Sequence, residues 1–197
     1  MARNRAARPE AKPLRLFAAV DVPERLKATV VEAVAPWRDR FPRARWVPPE
    51  NWHVTVKFMG RTWPRLADWV EEACREAAST IRPFRTSLTG MGVFPGPTRA
   101  RVLWVGLKDP DGSLVALARA LDERLAEEFP PEKRPFHAHL TVARFNPPQP
   151  FREAIEDLKA TTVDARPFPV RSLVLYRSHL SPRGARYEAV GTFRLGG

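Results

Sequence analysis

The chain has 197 residues, 44% of them hydrophobic, which fits one domain or two small lobes on a shared core and argues against disorder throughout. Its longest apolar runs, such as Leu14-Arg15-Leu16-Phe17-Ala18-Ala19-Val20, fall far short of the roughly 20 residues that a membrane helix needs, so no bilayer span is expected. The net charge is +11 and 27 of the 33 basic residues are arginine, whose guanidinium fork suits phosphate oxygens, so a polyanionic partner is favoured over a neutral one.

Residues 1–12 carry Arg3, Arg5, Arg8 and Lys12 without an apolar h-region, and read as a basic flexible tail rather than a secretory signal. Residues 14–21 alternate as a strand, and Asp21-Val22-Pro23-Glu24 offers a capping box for a helix bearing Leu26, Val30, Val34 and Trp37. A Pro-rich approach, from Phe41-Pro42 to Pro48-Pro49, leads into a strand from His53 that closes at Gly60. Pro64 starts a second helix with Leu66, Trp69, Val70, Ala73, Cys74 and Ala77 on one face. Cys74 is the sole cysteine, so it forms no internal disulfide and packs as a small core residue, which favours a reducing, cytoplasmic location.

Strands are expected over residues 84–94 and 99–107, joined by Pro95-Gly96-Pro97. A third helix, capped by Asp111, carries Leu114, Leu117, Leu121 and Leu125. Residues 136–145 read as a strand, and Pro147-Pro148 with Pro150 opens a short helix bearing Ile155 and Leu158. A terminal hairpin spans residues 172–180 and 185–193 around Ser181-Pro182-Arg183-Gly184.

Two stretches repeat one another. His53-Val54-Thr55-Val56-Lys57-Phe58 is echoed by His139-Leu140-Thr141-Val142-Ala143-Arg144, starting 86 residues later (139 − 53). In each, a period of two sends His and Thr to one face of a strand and the apolar residues to the other. Two copies are too few for a solenoid, so the arrangement expected is an α+β fold of two pseudo-symmetric lobes. Each lobe is an antiparallel sheet with helices on its outer face, the cleft lies between them, and residues 13–195 form a single bilobal domain.

These residues resemble the two-histidine phosphoesterase superfamily, in its RNA 2',3'-cyclic phosphodiesterase branch, also called 2'-5' RNA ligase-like proteins. Arg45 to Phe58 looks like that branch's first motif with its lead-in, and Phe136 with His139 to Arg144 like its second. Val174-Leu175-Tyr176 with Ser178, and Gly184 with Tyr187, look like its C-terminal hairpin, so the likeness covers about Leu14 to Phe193. Ala138 and Trp52 depart from it, standing where the family usually has proline and a smaller aliphatic residue.

The resemblance implies hydrolysis of RNA 2',3'-cyclic phosphate ends, tRNA fragments among them, to 2'-phosphate ends, with ATP-independent 2'-5' ligation as the reverse reaction. An imidazole with an ordinary pKa of about 6.5 suits both proton roles in such a reaction. The family's direction makes His53 the general acid and His139 the general base, though the pseudo-symmetry permits the reverse. Thr55 and Thr141 would donate to the nonbridging phosphoryl oxygens.

Arg144 and Lys57 are further phosphate-binding candidates. Strict alternation turns Arg144 away from His139 unless a strand end or bulge turns it back, and it keeps Lys57 on the His53 face, in the site or on its rim. Trp52 and Phe136 are candidates for stacking on a base, with core packing as the competing fate. His137 shares a face with His139, but neither HExxH nor paired cysteines supply a zinc set, and no metal or other cofactor is expected. A monomer is expected. The competing readings are a phosphodiesterase for small cyclic nucleotides or 2'-5' oligonucleotides, and a non-catalytic RNA-binding protein.

Overall fold

A computed structural model describes residues 12–182 and 184–196. The basic tail expected over residues 1–12 lies outside them apart from Lys12. No helix among the described residues is long and apolar enough to cross a membrane.

The chain runs β1 (Leu14–Asp21), α1 (Glu24–Arg40), β2 (Arg45–Trp46), β3 (His53–Thr62), α2 (Ala67–Ser79), β4 (Phe84–Thr86), β5 (Leu88–Phe94) and β6 (Ala100–Leu107). It continues with α3 (Ser113–Leu125), β7 (His139–Gln149), α4 (Ile155–Ala160), β8 (Phe168–Val170), β9 (Ser172–Ser181) and β10 (Gly184–Arg194). Every ladder is antiparallel. One half-sheet is ordered β10-β9-β1-β3 and the other β7-β6-β5, with β2 alongside β7. The α+β class and the paired antiparallel half-sheets are thus as the repeat implied, and the halves touch at one place. There β3 meets β7 through a single residue pair, Val54 opposite Leu140.

That junction sits on the pseudo-twofold axis. Val54 and Leu140 are the middle residues of the two His-x-Thr motifs, and both are fully buried. On either side the strands part, β3 keeping to β1 while β7 runs on beside β2. The order β1-α1-β3-α2-β4-β5 recurs as β6-α3-β7-α4-β8-β9, and β4 pairs with β8 in a small sheet of its own.

The two units exchange elements. β5, from the first, pairs with β6 in the second lobe, and β9, from the second, pairs with β1 in the first. Helix α3 packs on α2 and β3. Helix α1 is anchored at its C-terminal end on the other lobe, where Trp37 stacks on Phe151 and donates its indole N–H to Thr161 Oγ1 at 3.1 Å. The buried side chains form one cluster through both lobes.

Local chemistry differs from the sequence reading at two helix starts. Asp21 does not cap α1, which begins after Pro23 with no side-chain cap, because its carboxylate takes the Tyr176 hydroxyl at 2.7 Å. Helix α3 is capped by Asp109 rather than Asp111, its two carboxylate oxygens accepting the Leu114 and Val115 backbone N–H groups, each at 2.9 Å. Pro147 and Pro148 lie within β7 and do not open a helix, the strand expected over residues 84–94 is divided into β4 and β5, and β8 stands where no strand was expected. Cys74 is buried on the core face of α2, as its place on the apolar stripe predicted.

Truncating the junction should be costly because Leu140 is fully enclosed. Leu140→Ala is expected to lower unfolding free energy by about 2–5 kcal/mol, read from urea unfolding. A loss below about 1 kcal/mol would mean that the junction is not a packed element.

Candidate active site

The pairing of Val54 with Leu140 sends the flanking residues of both strands to the opposite side of the sheet. His53, Thr55, His139 and Thr141 are therefore neighbours on one face, each half-buried. The two imidazoles are close enough that the charge on His139 disfavours protonation of His53.

Each imidazole is held by backbone two residues before it. The Nδ1 atom of His139 lies 2.7 Å from the His137 carbonyl oxygen, which fixes the proton on Nδ1 and leaves Nε2 free as an acceptor. His53 is hydrogen-bonded to the Asn51 backbone, and its Nε2 lies 3.1 Å from Thr55 Oγ1. The lead-in is itself tied down, since the Asn51 side-chain amide donates to the Ala185 carbonyl on β10 at 2.7 Å.

Aromatic rings wall both histidines. His53 stacks on Phe17 at 4.6 Å and meets Tyr187 edge-on at 5.2 Å, with Tyr176 behind. His139 meets Phe94 edge-on at 5.2 Å, and Trp104 and His137 complete that wall. Burial among these rings is the first cause of the low basicity of both imidazoles. It brings His53 down from 6.5 to about 4 and lowers His139 as well, against the opposing backbone hydrogen bonds. Lys27 and Arg144 add unfavourable charge at His53, and His137 and Arg144 do so at His139.

A cavity of about 390 Å³ opens beside His53, walled by Asp21, Glu24, Lys27, Glu50, Tyr176 and Tyr187 among others. Lys27 is only 8% exposed and donates to Glu24 at 2.7 Å. Among the described residues no three His, Cys, Asp or Glu side chains are grouped as metal ligands would be.

Two bulges decide the fate of the other candidates. Val56 has no partner between the Ala18–Lys57 and Ala19–Thr55 pairs, and Val142 has none between Leu103–Ala143 and Trp104–Thr141. Each bulge stands three residues after its histidine and inverts the alternation beyond it. Arg144 consequently turns outward onto the cleft face, close enough to act electrostatically on both histidines.

Lys57 turns the other way, so strict alternation misplaced it. It is 3% exposed, and its ammonium donates to Asp122 Oδ1 at 2.5 Å and to the Phe129 and Pro130 carbonyls at 3.0 Å each. All three N–H groups are used, so Lys57 clamps α3 and the chain after it to β3 and is not a phosphate ligand.

Trp52 is not a stacking platform either. It is 2% exposed with its indole N–H donated to the Val47 carbonyl at 2.9 Å, because the 3-10 turn over Pro49–Asn51 folds it into the core. Phe136 is partly buried and packs against the core rather than standing free. His179 is half-buried and paired with Glu188 at 2.6 Å.

Sequence reasoning missed Phe17, Phe94, Trp104 and Lys27. Gly92 carried a usable signal, since a glycine inside a strand marks a close neighbour. A Cβ there would stand 2.2 Å from the Trp104 ring.

The 2'-5' RNA ligase superfamily profile matches residues 22–182. The RNA 2',3'-cyclic phosphodiesterase of Methanothermobacter thermautotrophicus is 34% identical over 185 residues, covering 92% of this chain and 99% of that protein. That of Thermus thermophilus is 34% identical over 194 residues, with coverages of 93% and 91%. In three dimensions the chain is similar to TT0787 of Thermus thermophilus, with a TM-score of 0.76, 29% identity, and coverage of 93% of this chain and 98% of that one. It is also similar to E. coli LigT complexed with 3'-AMP, with a TM-score of 0.68, 26% identity, and coverage of 93% and 99%.

The buried ammonium sets a stability prediction. Lys57→Ala should cost about 3–5 kcal/mol in urea unfolding, because Asp122 and two carbonyls lose their donor. A change under about 1 kcal/mol would refute the clamp.

Proposed function

Because this chain belongs to the 2'-5' RNA ligase superfamily, we propose that it is an RNA 2',3'-cyclic phosphodiesterase that opens cyclic phosphate ends to 2'-phosphates by paired histidine acid-base catalysis. The observation that carries this reading is the Val54–Leu140 pair, which brings both His-x-Thr motifs to one face of the cleft.

The reaction needs a water to attack phosphorus while the bond from phosphorus to the ribose 3' oxygen breaks. The base takes the water's proton and the acid gives one to the departing 3' oxygen, leaving a 2'-phosphate monoester and a 3' hydroxyl. His139 suits the base role, since its Nδ1 proton is committed to the His137 carbonyl and Nε2 is open to accept. His53 is then the acid. Its depressed basicity makes it a ready donor once protonated, and the phosphate anion between the two rings supplies the negative charge that favours its protonated form.

The Thr55 and Thr141 hydroxyls suit the nonbridging oxygens, and Arg144 adds positive charge on the same face. Two imidazoles cover both proton transfers, so the mechanism requires no metal, and chelator treatment should leave the rate unchanged. The same ring opening with a 5' hydroxyl attacking phosphorus in place of water, its proton taken by the base and the 3' oxygen protonated by the acid, would give a 2'-5' linkage without ATP. The 3'-AMP complex of E. coli LigT is consistent with nucleotide recognition by this fold. We assign RNA fragments with cyclic ends, tRNA fragments included, as substrates of a monomer working in the cytoplasm, the last on the single buried Cys74.

Two tests follow. His53→Ala and His139→Ala should each lower kcat by about 100-fold to 10,000-fold on a cyclic-phosphate-ended oligonucleotide, with 2'-phosphate and 3'-phosphate products separated by chromatography. Wild-type rates in either variant, or a 3'-phosphate product, would overturn the reading.

The second concerns pH. Both imidazoles are neutral in the free protein at neutral pH, because His53 is lowered to about 4 and His139 is lowered too. The singly protonated pair that the mechanism uses is therefore populated on the acid side, and kcat/KM should rise as pH falls from 7 and peak below the ordinary histidine value of about 6.5. The alkaline limb of kcat should lie at higher pH, since bound phosphate favours imidazolium. A kcat/KM that is flat between about pH 5 and pH 8 would exclude two titrating histidines.

A further inference from the structure

We propose that the cleft face of β3 beyond its first bulge binds the RNA strand upstream of the cyclic phosphate, with Phe58 stacking on a base and Arg15 and Arg61 holding flanking phosphates. The inference rests on the RNA-hydrolysis reading of the preceding subsection and extends it to the body of the substrate.

Phe58 is 45% exposed, an unusual state for a phenylalanine in the middle of a strand that is otherwise well covered. It lies directly opposite Phe17, and opposite residues of an antiparallel pair share a face. Phe17 is the ring on which His53 stacks, so Phe58 continues the same aromatic surface outward from the reacting centre. On the pseudo-twofold axis Phe58 corresponds to Arg144, and it stands in the first lobe where that arginine stands in the second.

The arginines are placed by a second bulge. Met59 has no partner on β1, and Gly60, with φ of 68°, accommodates the turn. Strict alternation after Phe58 would bring Gly60 to its face. The bulge brings Arg61 there instead, opposite Arg15. The Arg15 guanidinium lies 4.9 Å from the Phe58 ring centroid. Among the described residues neither Arg15 nor Arg61 is paired with a carboxylate.

A half-exposed aromatic ring with one face under the Arg15 guanidinium, and with Arg61 on the same strand face as the histidine, matches the recognition of single-stranded nucleic acid. Base stacking there is tolerant of sequence, and the phosphate contacts are salt-dependent. The strand rises about 3.3 Å per residue, so Phe58 is set about 10 Å along the strand from Thr55, away from the reacting phosphate and on the side where the body of the RNA would run.

The test compares a cyclic-phosphate-ended tetranucleotide with a 2',3'-cyclic mononucleotide. Phe58→Ala should lower kcat/KM on the tetranucleotide by about 5-fold to 100-fold and leave the mononucleotide within about twofold. Phe58→Tyr should restore the tetranucleotide rate, whereas Phe58→Leu, which keeps apolar bulk without a ring face, should not. Arg61→Ala should weaken binding of a labelled tetranucleotide in fluorescence anisotropy and reduce its salt dependence. Equal losses on both substrates, or none on the tetranucleotide, would overturn the track while leaving the catalytic reading intact. Failure of the wild type to hydrolyse either substrate would remove both.

Discussion

The placement of both His-x-Thr motifs on one face depends on one cross-strand contact between two aliphatic side chains. Val54 and Leu140 are buried on the core side, and each stands between a histidine and a threonine that must face the other way. Hydrophobic burial thus sets the register of the chemistry. A slip of one residue at this pair would send a histidine into the core, a change that the buried side chains oppose strongly. The two His-x-Thr motifs need no contact between their polar side chains to be held together.

The symmetry that the junction creates is broken a few residues on. Both strands bulge three residues after the histidine, and from there the two copies diverge in chemistry. One copy sends a lysine inward to close off the end of α3 and presents a phenylalanine. The other sends in an alanine and presents an arginine. A symmetric duplication thereby yields an asymmetric cleft. The histidines share the imprint of burial among aromatic rings, but His53 is the more strongly affected.

How much of this was legible in the sequence follows from which forces are local. Period-two alternation revealed both motif strands and the common face of His53, Thr55, His139 and Thr141, because a strand's side-chain geometry repeats every two residues. The core helices were visible from the spacing of leucine and alanine, and Ser181-Pro182 with Gly184 marked the terminal turn. Alternation failed at the bulges, which are set by pairing with β1 and β6 and leave no mark in the strand's own residues. Lys57 was misplaced for that reason, while Arg144 could be reached only by allowing for such a bulge. Trp52 was misread because its environment is fixed by a turn and a carbonyl five residues earlier. The aromatic walls around the histidines come from β1, β5, β6, β9 and β10, long-range neighbours that no local pattern specifies.

The exchange of elements between the lobes has a bearing on how the protein is made. A ribosome that has released only the first half has delivered β5 and α1 without the strands and helix that cover them, and β1 without β9. Neither lobe is a unit that the chain completes on its own, and most of its contacts join residues far apart in sequence. High contact order of this kind slows folding. The cleft is then a seam whose two walls are joined by the exchanged strands as well as by the Val54–Leu140 pair.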